Sequence, residues 1–135
     1  MPKPTLLMID DDVAFHYLHE RTFMFAGFYC NLIHAYSANE ALELFNRPSV
    51  SPDIILLDME MPLMNGIEFL EKFSKLGNRF PSTRVYMVSS SLDETMREKA
   101  LSHPFVETFF EKPLSSGHIQ EIKESFTQNI KLSAK

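Results

Sequence analysis

Four short apolar runs in this chain each end in a residue type that can do chemistry. Leu6–Ile9 is followed by Asp10-Asp11-Asp12, Ile54–Leu57 by Asp58, Val85–Val88 by Ser89-Ser90-Ser91, and the run ending at Phe110 by Glu111-Lys112-Pro113. Singly, each has an ordinary explanation. An Asp run serves as a turn or helix cap, a Lys before proline as a solvated loop residue, and a Ser triplet as a flexible cap; Asp12 and Ser91 read as helix caps. Their occurrence together, at the ends of successive runs, points to a site. Asp10, Asp11 and Asp58 in one crevice would crowd negative charge, which is unfavourable unless a cation is present. Oxygen ligands with room for water suit Mg²⁺. Such a cation would draw in the oxygens of a phosphate, with Lys112 and the Ser89 hydroxyl on other oxygens. Asp58 could then attack phosphorus and become an aspartyl phosphate.

These residues need a scaffold that gathers run ends. Apolar runs recur at Leu6–Ile9, Asn31–Ala35, Ile54–Leu57, Val85–Val88 and Val106–Phe110. The third is continuously apolar, as in a strand covered on both faces, and the second is weak enough to belong near a sheet edge. Helical spacing fills the gaps. Phe15, Leu18, Thr22 and Phe25 recur at intervals of three to four, closed by Gly27. Ser37–Glu40 reads as a capping box opening a helix with Ala41, Leu42 and Phe45, and Ser91–Glu94 as a second one, whose helix stops before His103-Pro104. Gly66 to Leu76 carries Ile67, Leu70 and Phe73 on one stripe, with Gly77 after the end. A last helix runs from about Ser116 into Asn129, with Ile119, Ile122 and Phe126 inward. This (βα)₅ order predicts a doubly wound parallel sheet with right-handed crossovers, and ligands in such sheets bind beyond the carboxyl ends of the strands. The 47–52 segment reads as a surface loop, and Phe23, Phe25 and Phe28 as cover for the sheet.

Composition sets the outer bounds. A chain of 135 residues, 44% hydrophobic and 23% charged, fits one domain. Thirteen Lys and Arg against eighteen Asp and Glu give a net charge of −5, which argues against a nucleic-acid binder. Cys30 is the only cysteine, so an internal disulfide is impossible and a cysteine-based zinc site is disfavoured. The N-terminal apolar run is too short for a signal peptide, and no run reaches membrane-spanning length; a cytoplasmic protein is expected. His16 and His19 stand three apart, as a metal pair could, but with no third ligand around them they read as a solvated helix face. Met59, Met61 and Met64 read as loop packing.

The most specific motif is Asp58-Met59-Glu60-Met61-Pro62-Leu63-Met64-Asn65-Gly66, of the form D-x-x-M-P-x-x-x-G. Ile9-Asp10-Asp11 precedes it, Ser89 follows Asp58 by 31 residues, and Lys112-Pro113 follows by another 23. With these positions filled in order, the chain resembles the receiver domains of two-component response regulators, similar to the stand-alone chemotaxis type, from Leu6 to about Phe126. The resemblance implies a flavodoxin-like fold with strand order 2-1-3-4-5, and one receiver domain over 1–135 (core about 5–130) without an output domain. It implies Asp58 as phosphoacceptor and Mg²⁺ on Asp11, Asp58 and the Glu60 backbone carbonyl, with Asp10 acting largely through water. Ser89 would bond the phosphoryl group and Lys112 would pair with it. Pro62, Gly66 and Pro113 would shape the loops. Phe109 would be a switch aromatic that turns inward, with Phe110 in the core. Glu60 and Ser91 fall at two variable positions that tune hydrolysis, and Ser90 stands where alanine is commoner. The implied donor is a sensor histidine kinase or a histidine phosphotransfer domain. The implied output is a protein partner on the face from about Leu92 to Phe126, with no direct nucleic-acid or membrane contact, the chain being a monomer or weak dimer. Three other readings fit less well. A haloacid-dehalogenase-type phosphatase expects its nucleophile on the first strand in D-x-D. An FMN protein would not place three aspartates in its phosphate loop. An unphosphorylated pseudo-receiver would not need the intact Asp11, Asp58, Ser89 and Lys112 set.

Overall fold

The computed structural model describes residues 3–91 and 93–133. Strands β1 (Thr5–Ile9), β2 (Asn31–Ala35), β3 (Ile54–Asp58), β4 (Arg84–Ser89) and β5 (Val106–Glu111) alternate with helices α1 (Val13–Phe25), α2 (Ala38–Leu44), α3 (Gly66–Ser74), α4 (Glu94–Leu101) and α5 (Ser116–Ser133). The five strands are all parallel, in the order β2-β1-β3-β4-β5. β3, buried at every position, lies at the centre, and the weakly apolar β2 lies at an edge.

The period of two along each strand sorts the core into two layers. Leu7, Ile9, Ile55, Leu57, Met87 and Phe109 face α2, α3 and α4. There Phe45, Phe69, Phe73 and Phe80 pack ring on ring, with centroids 4.9–6.3 Å apart. Leu6, Met8, Leu56, Val88 and Phe110 face α1 and α5, where they meet Phe23, Ile119, Ile122 and Phe126. Tyr86 belongs to this second layer, 1% exposed and stacked on Phe110, whereas Tyr17 and Tyr29 are each 63% exposed.

Helix phase and helix ends depart from expectation. α1 turns His16, His19 and Phe23 inward and leaves Leu18 and Phe25 outside, Phe25 82% exposed. Two neighbouring stripes both satisfy helical spacing, and hydrogen bonds select between them. His16 Nε2 donates to the Asp10 carbonyl at 2.7 Å, and His19 Nε2 accepts from the Leu114 amide at 3.3 Å, so neither imidazole is a solvated group. Phe25 and Tyr17 instead flank the Arg21 guanidinium, 5.8 Å from each ring. Phe23 and Phe28 do cover the sheet. α4 is capped by Asp93, which accepts from the Thr95 and Met96 amides, and not by Ser91. Asn65 and Glu68 form a full capping box for α3, which ends at Ser74 before a 3₁₀ turn at Gly77–Arg79. Ser37 caps α2, while Glu40 reaches the Tyr36 amide. No Pro or Gly interrupts 129–133, and α5 continues past Asn129 to Ser133.

Candidate functional site

The carboxyl ends of β1, β3, β4 and β5 meet at one edge of the sheet. In register, Asp58 lies beside Val88 and Ser89 beside Glu111. The Lys112 amide donates to the Ser89 carbonyl at 2.8 Å, and the Lys112–Pro113 peptide is cis. This backbone tie delivers the Lys112 ammonium to Asp10 Oδ2 at 2.8 Å and to Asp58 Oδ1 at 3.2 Å, over the Phe15 ring at 4.1 Å from its centroid. Asp10 Oδ1 accepts from the Asp12 amide at 2.9 Å, and Asp58 Oδ1 also accepts from the Glu60 amide at 3.3 Å. Asp10 and Asp58 are buried and Asp11 is exposed, yet each offers a carboxylate oxygen within 4.8 Å of the others.

Burial first, and then the charge of Asp10, push the Asp58 carboxyl up to about 7 against the pull of Lys112. Burial alone would lower the Lys112 ammonium, but the hydrogen bond it donates to Asp10 and the charges of Asp58 and Asp10 hold it above the usual lysine value. His19 is pushed down to about 4, by burial first and then by Lys112, and stays neutral at physiological pH. Three carboxylates against one ammonium leave a surplus of negative charge on a set of oxygen donors. That is the chemistry of a hard divalent cation site, and Asp10, Asp11 and Asp58 fit Mg²⁺.

Beside the acids, Ser89 is 1% exposed. Its hydroxyl lies against Glu60 Oε1 and, at 2.8 Å, the Ser91 carbonyl, while it accepts from the Ser91 amide at 3.1 Å. A cleft of about 540 Å³ opens here, lined by Met59, Met61, Ser89, Asp93, Met96 and Phe109. The loop after β3 passes through Pro62 and through Leu63 at φ 69°, then closes on Gly66, whose amide donates to the Met59 carbonyl at 2.9 Å. A Cβ on Gly66 would stand 2.9 Å from the Asp58 carbonyl oxygen and 3.0 Å from Met59 Cα, so only glycine lets the loop return this close to β3.

The structure thus brings together Asp10, Asp11, Asp58, Ser89 and Lys112, with Phe109 on the wall of the cleft and Phe110 in the opposite layer. Two participants escaped the sequence reading: Phe15 carries the Lys112 ammonium, and His16 fixes the Asp10 carbonyl. Glu60, expected at a position that tunes hydrolysis, lays its side chain against Ser89. The visible signal for His16 was its place on the same helical stripe as Phe23, directly after the acidic turn.

The fold is that of the flavodoxin-like (βα)₅ class, and comparison with known proteins agrees. Residues 6–124 match the response regulator receiver domain family, and the chain belongs to it. It is 32% identical over 95 residues to a protein-glutamate methylesterase/protein-glutamine glutaminase of Methanospirillum hungatei, covering 70% of this chain and 27% of that one. It is 30% identical over 91 residues to the sensor histidine kinase CheAY of Helicobacter pylori, covering 67% of this chain and 11% of the kinase. The chain therefore spans about a quarter or less of these relatives. Among solved structures, a two-component response regulator of Cytophaga hutchinsonii superposes with a TM-score of 0.83 at 25% identity, covering 94% of this chain and 99% of the other. A CheY-like receiver domain from Methanospirillum hungatei shares the fold at a TM-score of 0.80 and 24% identity, with coverage of 96% and 98%.

Proposed function

We propose that this receiver domain is a phosphorylation switch that accepts a phosphoryl group on Asp58. The observation that supports it best is the convergence on Asp58, at the end of the most buried strand, of Lys112 and two further carboxylates, with Ser89 ending the neighbouring strand. The donor is a phosphohistidine of a sensor histidine kinase or of a histidine phosphotransfer domain. An Asp58 oxygen forms the O–P bond as the donor's N–P bond breaks, and the electron pair leaves with the imidazole nitrogen. Lys112 and Ser89 take phosphoryl oxygens, and the Phe15 and His16 contacts keep the ammonium and the Asp10 loop in position. Asp10, Asp11, Asp58 and the Glu60 backbone carbonyl would hold Mg²⁺, which when bound supplies positive charge to the transferring phosphoryl group.

The signal leaves through the face of α4, β5 and α5, from about residue 92 to Phe126, to a partner protein in the cytoplasm; Leu92 itself lies outside the described residues. No helix among the described residues is long and apolar enough to cross a membrane. Acetyl phosphate with Mg²⁺ should label the protein at one site, as an acyl phosphate labile to base and hydroxylamine, and Asp58→Asn should abolish the label. Full labelling of that variant would overturn the assignment. Turnover of a generic phosphomonoester would point instead to a phosphatase.

A further inference from the structure

The Ser89 hydroxyl has one proton to give, and two acceptors already compete for it. One is the carbonyl of Ser91 at 2.8 Å; the other is the carboxylate of Glu60. Glu60 is two residues beyond Asp58, and its own amide donates to Asp58 Oδ1, so its backbone is anchored to the acceptor while its exposed side chain folds back onto Ser89. The outcome is an anionic oxygen on the one hydroxyl that the incoming phosphoryl group needs. A carboxylate is a better acceptor than a carbonyl, because its charge shortens and strengthens the bond.

We propose that Glu60 is a positioning residue that occupies the Ser89 hydroxyl before phosphorylation, and that a phosphoryl group engages Ser89 only by displacing it. The proposal rests on the reading of Asp58 as phosphoacceptor. It makes Glu60 an internal competitor: the acyl phosphate can form while Ser89 is still held, and the later hand-over of the hydroxyl is the event that couples chemistry to the cleft beside Phe109. When Glu60 lets go, the hydroxyl has only the Ser91 carbonyl to leave, a neutral and weaker partner.

The test separates competition for the hydroxyl from simple repulsion between Glu60 and the phosphoryl charge. Beryllofluoride with Mg²⁺ serves as the probe, its affinity read from amide shifts in a titration. Glu60→Ala should bind it about tenfold more tightly than the unchanged protein, the span that a hydrogen bond to a charged group controls. In a Ser89→Ala background the same Glu60→Ala change should bring far less, and Ser89→Thr, which keeps a hydroxyl, should restore the gain. Equal tightening in the Ser89 and Ser89→Ala proteins would assign the effect to charge alone and overturn the proposal, as would no tightening at all. Failure of the unchanged protein to bind beryllofluoride, or equal binding by Asp58→Asn, would instead overturn the phosphoacceptor reading, and the proposal with it.

Discussion

Burial and the neighbouring Asp10 push the Asp58 carboxyl up to about 7, whereas in an unfolded chain it ionises near the ordinary aspartate value of about 4. Between those two values the folded state keeps a proton that the unfolded state has lost, so the contribution of Asp58 to stability falls as pH rises from about 4 to about 7. Above that window the ionised carboxylate is a standing destabilisation. Asp58→Asn should therefore raise the free energy of unfolding at pH 8 by on the order of 1–3 kcal/mol, part of the gain being returned through the weakened contact with Lys112; urea unfolding would measure it. His19 works in the other direction. Its pKa is depressed to about 4, so its contribution is present above the ordinary histidine value and is lost as pH falls towards 4. The two slopes oppose each other in the unchanged protein. In Asp58→Asn the histidine slope is no longer opposed by Asp58, and that variant should lose stability more steeply on acidification from pH 7 to 5. The same proton competes with Mg²⁺ for Asp58, so Mg²⁺ affinity should fall by up to about tenfold per pH unit below 7, measured by titration calorimetry.

At the scale of the element, the loop from β3 to α3 has two positions at which backbone geometry dictates the residue, and only one of them carries the residue it favours. Gly66 meets the constraint. Gly66→Ala would drive a Cβ into the Asp58 carbonyl oxygen and Met59 Cα, backbone atoms that cannot rotate away, and should cost about 1–3 kcal/mol in denaturant unfolding while displacing Asp58. Leu63 does not meet it. It is a γ-branched residue held at φ 69° with 96% of its surface exposed, so Leu63→Asn should stabilise the fold by about 0.5–1 kcal/mol with nothing lost from the core. Positions of this kind mark the boundary of what could be read from the sequence. Strand runs were legible because Ile54–Leu57 has one physical explanation, and the acidic, hydroxyl and lysine positions were legible because each terminates such a run. The phase of α1 was not, because the stripes through Leu18 and through His19 are both periodic; the choice depends on where the Asp10 carbonyl and the Leu114 amide stand, and Leu114 lies 95 residues along the chain from His19. Likewise the cap of α4 passed from Ser91 to Asp93, whose carboxylate accepts from the Thr95 and Met96 amides at the start of the helix.

For the molecule as a whole, the sheet divides the core into a layer that contains the cleft and a layer that does not. On the proposed function, phosphorylation of Asp58 would add a charge of roughly −1.5 to −2 beside Ser89 and Lys112. Reversing a population from 1:99 to 99:1 takes about 5.5 kcal/mol of differential stabilisation. Two charge-assisted hydrogen bonds at roughly 1.5–3 kcal/mol each come close to that, and the bond given up by Glu60 subtracts from it. The shift should therefore be partial, with the inactive form still visible in amide spectra of the beryllofluoride complex. Ser89→Ala should take up phosphate yet leave residues 93–110 unperturbed; equal perturbation of that segment with and without the hydroxyl would mean the coupling runs elsewhere. The burial of Tyr86 has an optical consequence. The chain has no tryptophan, and of its four tyrosines only Tyr86 is enclosed, on the side of the sheet away from Phe109. The tyrosine band in near-ultraviolet circular dichroism thus draws chiefly on Tyr86, and a melting curve followed there reports the loss of the layer of the core that lies away from the cleft.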